Sequence, residues 1–158
     1  MIAKEVGTGI SREVAQVLKE SGVKAIDVGG HGGTNWMVVD AIRSGLEYDT
    51  FADWGIPTSI SILEAQVGLP IIATGGLRTG VHMAKSIALG ADLCGMALPF
   101  LKVLLKDGPE GLDTFLNRIH RELKVAMFLT GSKRIEDLKR SKYVLTGRVK
   151  DWVDQRKW

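Results

Sequence analysis

An apolar run stops abruptly at residues 71–80, "IIATGGLRTG". Gly75 and Gly76 carry no Cβ, so backbone N–H groups there can close on a ligand, and a helix starting just beyond turns its positive end to the same point. Arg78 adds a planar, fixed cation suited to phosphate oxygens. The same residues also suit an ordinary strand-to-helix turn with a surface arginine, and Leu77 fits either. A second apolar run follows in "ADLCGMALPFL", which exits into the small residues Gly95 and Ala97, flanked by Met96 and Leu98. In a (β/α)8 barrel the loops after strands seven and eight sit side by side and commonly form a phosphate seat from their amides. Two adjacent small-residue exits therefore favour a shared anion seat over two unrelated turns.

Three further places could carry chemistry. Lys4 stands near the end of the opening apolar run, where it could face a ligand as a cation or be solvated like most lysines. "DVGGHGGTNW" places Gly29, Gly30, Gly32 and Gly33 around His31, followed by Thr34 and Trp36. Glycine at that density is entropically costly and suggests close approach of a flat ligand, with the Thr34 hydroxyl as a hydrogen-bonding group. His31 could act as a base, but no carboxylate partner is visible beside it. Cys94, the single cysteine, reads as a small buried apolar residue.

The elements that must position these residues follow from period and punctuation. Short apolar runs ending in glycine alternate with segments of helical period, the pattern of a parallel sheet with crossover helices. "MIAKEVG", "KAIDVGG", "PIIATGG" and "ADLCGMA" read as strands. Ser11 caps a helix through "REVAQVLKES", whose Val14, Val17 and Leu18 form an apolar stripe closed by Gly22. Thr79 or Gly80 opens "VHMAKSIALG", with Met83, Ala84, Ile87 and Ala88 inward and Gly90 as the stop. "GLEYDTFADW" reads as loop, and Pro57 with Thr58 suits the first turn of a helix through "SISILEAQ". Apolar residues at 112, 115, 116, 119, 123 and 127 mark a long helix ended by Gly131. A short helix "RIEDLKR" and an extended "YVLTG" finish the chain.

With 158 residues the chain bounds one domain, residues 1–158. A net charge of +3 is too weak a field to argue for nucleic acid, although it favours an anionic small molecule. One cysteine fits a reducing compartment, no run is long enough to span a bilayer, and the cytoplasm is the expected location.

Taken together, "KEVGTGIS", "AIDVGGHGGTNW", "DWGIPT", "IIATGGLRTGVHMAKSIALGAD", "GMALPFL" and "ELKVAMFLTGS" closely resemble the carboxyl-terminal half of the type 2 isopentenyl diphosphate isomerases. These are FMN-dependent (β/α)8 (TIM) barrel flavoproteins of isoprenoid biosynthesis. The resemblance runs in order over essentially the whole chain; its "GG-R-G" part is shared with many FMN barrels, whereas "GGTNW" with "DWGIPT" is far more specific. It implies that Lys4 meets the polar edge of the flavin, with Thr34 and the backbone at Gly29 also facing the cofactor. Gly75, Gly76, Leu77 and Arg78 would hold the FMN phosphate from one side, and Ala97 with Leu98, or Met96 with Ala97, from the other.

The resemblance further implies an isomerase interconverting isopentenyl and dimethylallyl diphosphate on reduced FMN, with Mg2+ on the diphosphate and NAD(P)H as the reductant of the flavin. The family's glutamine and metal-binding glutamate lie ahead of the "KEVG" strand, outside this sequence, so no catalytic or metal-ligating residue is assigned here. Counting back from the phosphate pair makes the strands the fifth to the eighth. A whole barrel needs roughly 250 residues, so the expectation is a half barrel of four βα units plus carboxyl-terminal helices. Such a half would expose two sheet edges and associate through them, as a homo-oligomer or as a fragment of a longer protein. Two other readings stand beside this one: a non-catalytic FMN- or phosphate-binding fragment, and a relative of the FMN-dependent 2-hydroxy acid oxidases, which place a histidine in a glycine-flanked loop as His31 is here.

Overall fold

A computed structural model describes residues 1–46 and 49–156. The four apolar runs form four strands: β1 (Ile2–Lys4), β2 (Ala25–Asp27), β3 (Ile71–Ala73) and β4 (Leu93–Cys94). They make one parallel sheet in the order β1-β2-β3-β4, with Lys4 opposite Asp27, Asp27 opposite Ile72, and Ala73 opposite Cys94. Parallel neighbours cannot be joined by tight hairpins, so crossover segments return the chain each time. All four strands consequently exit at the same end of the sheet, and the glycine-rich loops gather there.

The helices are α1 (Arg12–Glu20), α2 (Trp36–Arg43), α3 (Thr58–Glu64), α4 (Gly80–Ala88), α5 (Leu98–Leu129), α6 (Ile135–Lys139) and α7 (Gly147–Arg156). Their ends follow the expected punctuation. The Ser11 hydroxyl accepts from the Val14 amide, Thr79 accepts from His82, and Pro57 stands at the start of α3. Asn35 opens α2 by accepting from the amide of Met37 at 3.0 Å.

Several expectations need correction. In α1 the inward face is Ala15 and Leu18, while Val14 and Val17 are half or more exposed; the stripe lies one position over because Ala15 sits against the sheet. Residues after Ala97 turn directly into α5, which breaks at Gly108 (φ 67°) before Pro109 resumes the helix. The chain does not finish in an extended segment, since residues 141–146 lead into α7. Within the expected loop 45–54, residues 47 and 48 lie outside the described residues, and Asp49–Phe51 form a single 3-10 turn.

The core is built where the sheet meets α1 and α3. Ile26, Val28, Ile71 and Ala73 pack with Ile10, Ala15, Ile62, Ala65 and Leu77. A second cluster joins α4 to α5 and α6 through Ala84, Ile87 and Leu138, with Leu123 and Met127 against them. At the crossing, a Cβ on Gly80 would lie 2.3 Å from the carbonyl oxygen of Ile119, so only glycine lets the two backbones meet. Among the described residues neither β1 nor β4 has a strand on its outer side, and Ile2 and Leu93 there are more than half exposed.

Candidate cofactor site

The strand exits surround an open cavity of about 320 Å³. All ten residues that the sequence assigns to the cofactor line it. Lys4 comes from the end of β1, Gly29 and Thr34 from the loop after β2, Gly75, Gly76, Leu77 and Arg78 from the loop after β3, and Met96, Ala97 and Leu98 from the exit of β4.

The last two exits supply what an anion needs. Among the described residues the amides of Gly76, Leu77, Met96 and Ala97 have no protein partner, and all four residues line the same cavity. Leu77 is buried, and backbone N–H groups left without partners inside a protein are rare unless water or a ligand takes them; Gly76 and Met96 are partly buried, and Ala97 is exposed. Arg78 stands at the same rim and reaches across to the Gly32 carbonyl, its Nη2 donating at 3.4 Å. The amino terminus of α4 contributes less than its position suggests, because Glu122 of α5 already accepts from the Gly80 amide at 2.7 Å.

Glycine density has a different cause from the one its count suggests. The loop after β2 is locked against its neighbours: a Cβ on Gly75 would lie 2.0 Å from the Gly30 carbonyl oxygen, and one on Gly76 would lie 2.4 Å from that of Gly32. Gly30 itself backs onto Thr58, whose hydroxyl donates to the Gly75 carbonyl at 2.5 Å. Much of the glycine therefore serves loop-against-loop packing, and it is Gly29 and Gly33 that reach the cavity wall.

Sequence reasoning missed three polar residues that shape the site. Lys4 Nζ donates to Asp27 Oδ2 at 2.9 Å and to Thr74 Oγ1 at 3.2 Å, and the Thr74 hydroxyl in turn donates to Asp27 Oδ1. Asp27 is buried and also accepts from the Gly29 amide at 3.2 Å. Glu5 folds back on its own loop, accepting from the amides of Gly7 (2.6 Å), Thr8 (2.6 Å) and Gly9 (2.9 Å) and from the Thr8 hydroxyl at 2.8 Å. Burial alone would raise the Glu5 carboxyl; the Thr8 hydroxyl and these amides outweigh it and hold its pKa below the ordinary 4.5. The only signal for these residues in the sequence is a polar side chain closing each apolar run.

Two other candidates lie apart. His31 does not line the cavity; it bridges to Pro57, accepts from the Thr58 amide through its carbonyl at 3.3 Å, and its Nδ1 is buried without a hydrogen-bond partner. Cys94 is partly buried with its thiol pushed up to about 11 by desolvation, which makes it a poor nucleophile.

An α/β chain whose parallel strands all exit onto one cavity is a protein of the TIM-barrel type, and solved structures support that class. It is similar to a mandelate oxidase structure at a TM-score of 0.70 and 21% identity, over 92% of this chain and 40% of that one. A mandelate oxidase variant bearing a monooxide FMN adduct aligns at a TM-score of 0.69. The chain belongs to the FMN-dependent dehydrogenase family, whose sequence model matches residues 1–145. Two archaeal relatives named isopentenyl-diphosphate delta-isomerase are each 50% identical to it: that of Methanococcus maripaludis over 98% of this chain, and that of Archaeoglobus fulgidus over 99%. The chain spans about half the length of these curated relatives, 45% and 46%.

Proposed function

We propose that the chain is the FMN-phosphate-binding, carboxyl-terminal part of a type 2 isopentenyl diphosphate isomerase. The observation that carries this is the set of four unpartnered amides from two adjacent strand exits, with Arg78, around one cavity. A phosphate there would take N–H groups from Gly76 and Leu77 on one side and from Met96 and Ala97 on the other, with the guanidinium neutralising part of its charge. Gly75 holds the first of these loops in place.

Lys4 would then meet the polar edge of the flavin ring from the β1 side, with Thr34 and Gly29 beside it. Reduced flavin, when bound, supplies the proton-transfer chemistry toward the alkene of the diphosphate substrate. A fixed ammonium at that edge stabilises negative charge on the ring without reorganising solvent. The relatives' printed activity is the basis for taking isopentenyl and dimethylallyl diphosphate as the substrates. NAD(P)H would serve only to reduce the flavin.

No magnesium ligand is assigned to these residues. Among the described residues no group of three or more His, Cys, Asp or Glu side chains could hold a metal ion. Its ligands, and the acid and base groups of the reaction, would come from the other half of the barrel, paired against the open edges of β1 and β4 either in one longer chain or by association of separate chains. Residues 1–158 form a single domain in this reading. No described helix is long and apolar enough to cross a membrane, and the single cysteine suits the cytoplasm.

The oxidase reading rested on His31, which stands outside the cavity. A fluorescence titration separates the remaining possibilities. FMN should bind while riboflavin, which lacks the phosphate, binds far more weakly, and Arg78→Ala should remove most of that difference. Equal affinity for the two flavins would sink the phosphate seat. Adding the complementary amino-terminal half with isopentenyl diphosphate, Mg2+ and a reductant should then yield dimethylallyl diphosphate; flavin binding without turnover would leave a binding module only.

A further inference from the structure

Lys4 is the last residue of β1, Asp27 the last of β2, and Thr74 the first residue past β3. The parallel register sets Lys4 directly opposite Asp27, and the three side chains form a closed ring of hydrogen bonds at the floor of the cavity. Its directions are fixed by chemistry. A threonine hydroxyl has one proton, and it goes to Asp27 Oδ1, so Thr74 can only accept from Lys4. An ammonium has three N–H donors; Asp27 and Thr74 take two, which leaves one for an occupant of the cavity. The Lys4 side chain is 55% exposed whereas that of Asp27 is 10% exposed, so the carboxylate is the rigid member and the lysine the one being held.

Resting on the flavin reading above, we infer that Asp27, with Thr74, is the positioning residue that fixes the Lys4 ammonium against the bound cofactor. The same carboxylate accepts from the Gly29 amide at 3.2 Å, tying the lysine's position to the loop that forms the next part of the wall. Lysine carries four rotatable stem bonds, and an untethered one would lose that freedom each time a ligand arrived. A carboxylate already holding it moves that loss into folding. Asparagine at position 27 would keep the shape and could still accept from Lys4 through its oxygen, with its N–H2 donating to Thr74, but the negative charge that holds the ammonium would be gone.

Two measurements on the full chain test this. The first needs no cofactor: limited acetylation followed by peptide mass spectrometry, with the exposed Lys102 and Lys124 as internal references. Lys4 should label several-fold faster in Asp27→Asn and in Thr74→Val than in the unaltered chain. The second is a double-mutant cycle on FMN affinity. Asp27→Asn should weaken binding about tenfold, the size of one charge-assisted contact, and should cost nothing further when Lys4→Met is already present. An equal loss with Lys4 present or absent would overturn the inference, because Asp27 would then act without Lys4. Unchanged acetylation in both variants would overturn it as well. Faster labelling in a chain that takes up no FMN would uphold Asp27's hold on Lys4 and overturn the cofactor reading.

Discussion

The Cα of Gly75 faces the Gly30 carbonyl so closely that a β-carbon there would sit 2.0 Å from the oxygen. Gly75 also holds a φ of 104°, a region that residues with a side chain seldom enter. The two facts reinforce each other, because any side chain must both strain its own backbone and push the β2 loop aside.

Gly75→Ala should therefore cost more than the usual helix- or turn-level penalty. Backbone strain alone contributes about 1–3 kcal/mol, and the displaced loop carries Gly29 and Thr34 with it. The expected result is a clear drop in the urea midpoint together with loss of FMN affinity. Gly45→Ala, with φ 67° but open space around it, should lower stability modestly and leave flavin binding untouched. Similar flavin affinities for both variants would count against the interlocked loops as the base of the site.

Glu5 gives a pH dependence with a definite sign. Burial pushes its carboxyl up, but the Thr8 hydroxyl and the amides of the 7–9 turn prevail, so the folded pKa lies below the ordinary 4.5. A depressed folded value means the stabilisation is complete above the unfolded pKa and is lost as pH falls through the lower folded one. Amide protection factors of Gly7, Thr8 and Gly9 should be flat above about pH 5 and decline below it. In Glu5→Gln they should be low already at neutral pH and change little on acidification. An unaltered acid response in that variant would remove Glu5 as its cause.

How far the sequence reveals this site depends on where each signal is stored. The βα units were legible because a parallel strand and its exit lie within one short window: "IIATGG" gives the apolar run and the glycines that end it. Ser11 and Thr79 act on amides three residues away, so the helix starts were legible too. Asp27 and Thr74 were not, because their meaning comes from the register of three strands, and Lys4 and Thr74 are 70 positions apart. The helix α7 was missed for a related reason. It buries no residue among those described and is held instead by polar contacts to Glu64, 88 and 92 positions earlier. Its polar face carries no apolar period to read.

Cys94 should be inert in the folded chain. Its thiol is pushed up to about 11, against 9.0 for an ordinary cysteine, by burial beneath α4. The thiolate is the reactive form, so at pH 8 alkylation should run about a hundredfold slower than for a free thiol, before any steric shielding. Iodoacetamide followed by intact mass should find the folded chain unmodified over a period in which the urea-unfolded chain is fully labelled. Rapid labelling without denaturant would show the β4 end of the sheet to be open.

The carboxyl-terminal helix supports the strongest stability prediction. Glu64 is fully buried, and it accepts from Trp152 Nε1 at 2.6 Å, from Arg156 Nε at 3.0 Å and Nη2 at 3.2 Å, and from the Arg12 amide at 2.8 Å. Arg156 also reaches Glu13, but that carboxylate is exposed and such a pair adds little. A buried carboxylate deprived of its countercharge is costly, so Arg156→Ala should destabilise the chain by about 2–4 kcal/mol. Adding Glu64→Gln to that variant should recover part of the loss, because it removes the stranded charge, although the single amide oxygen can then accept from only one of the two donors, Trp152 Nε1 on the Oε1 side or the Arg12 amide on the Oε2 side. Arg156→Lys should fall between, since an ammonium cannot reproduce the two-pronged contact. The family model matches residues 1–145, so Glu64 and Arg12 lie within the match and Trp152 and Arg156 of α7 lie after it. Urea denaturation of the four chains at constant m-value decides it: if the double variant is less stable than Arg156→Ala alone, Glu64 is held by something other than charge neutralisation.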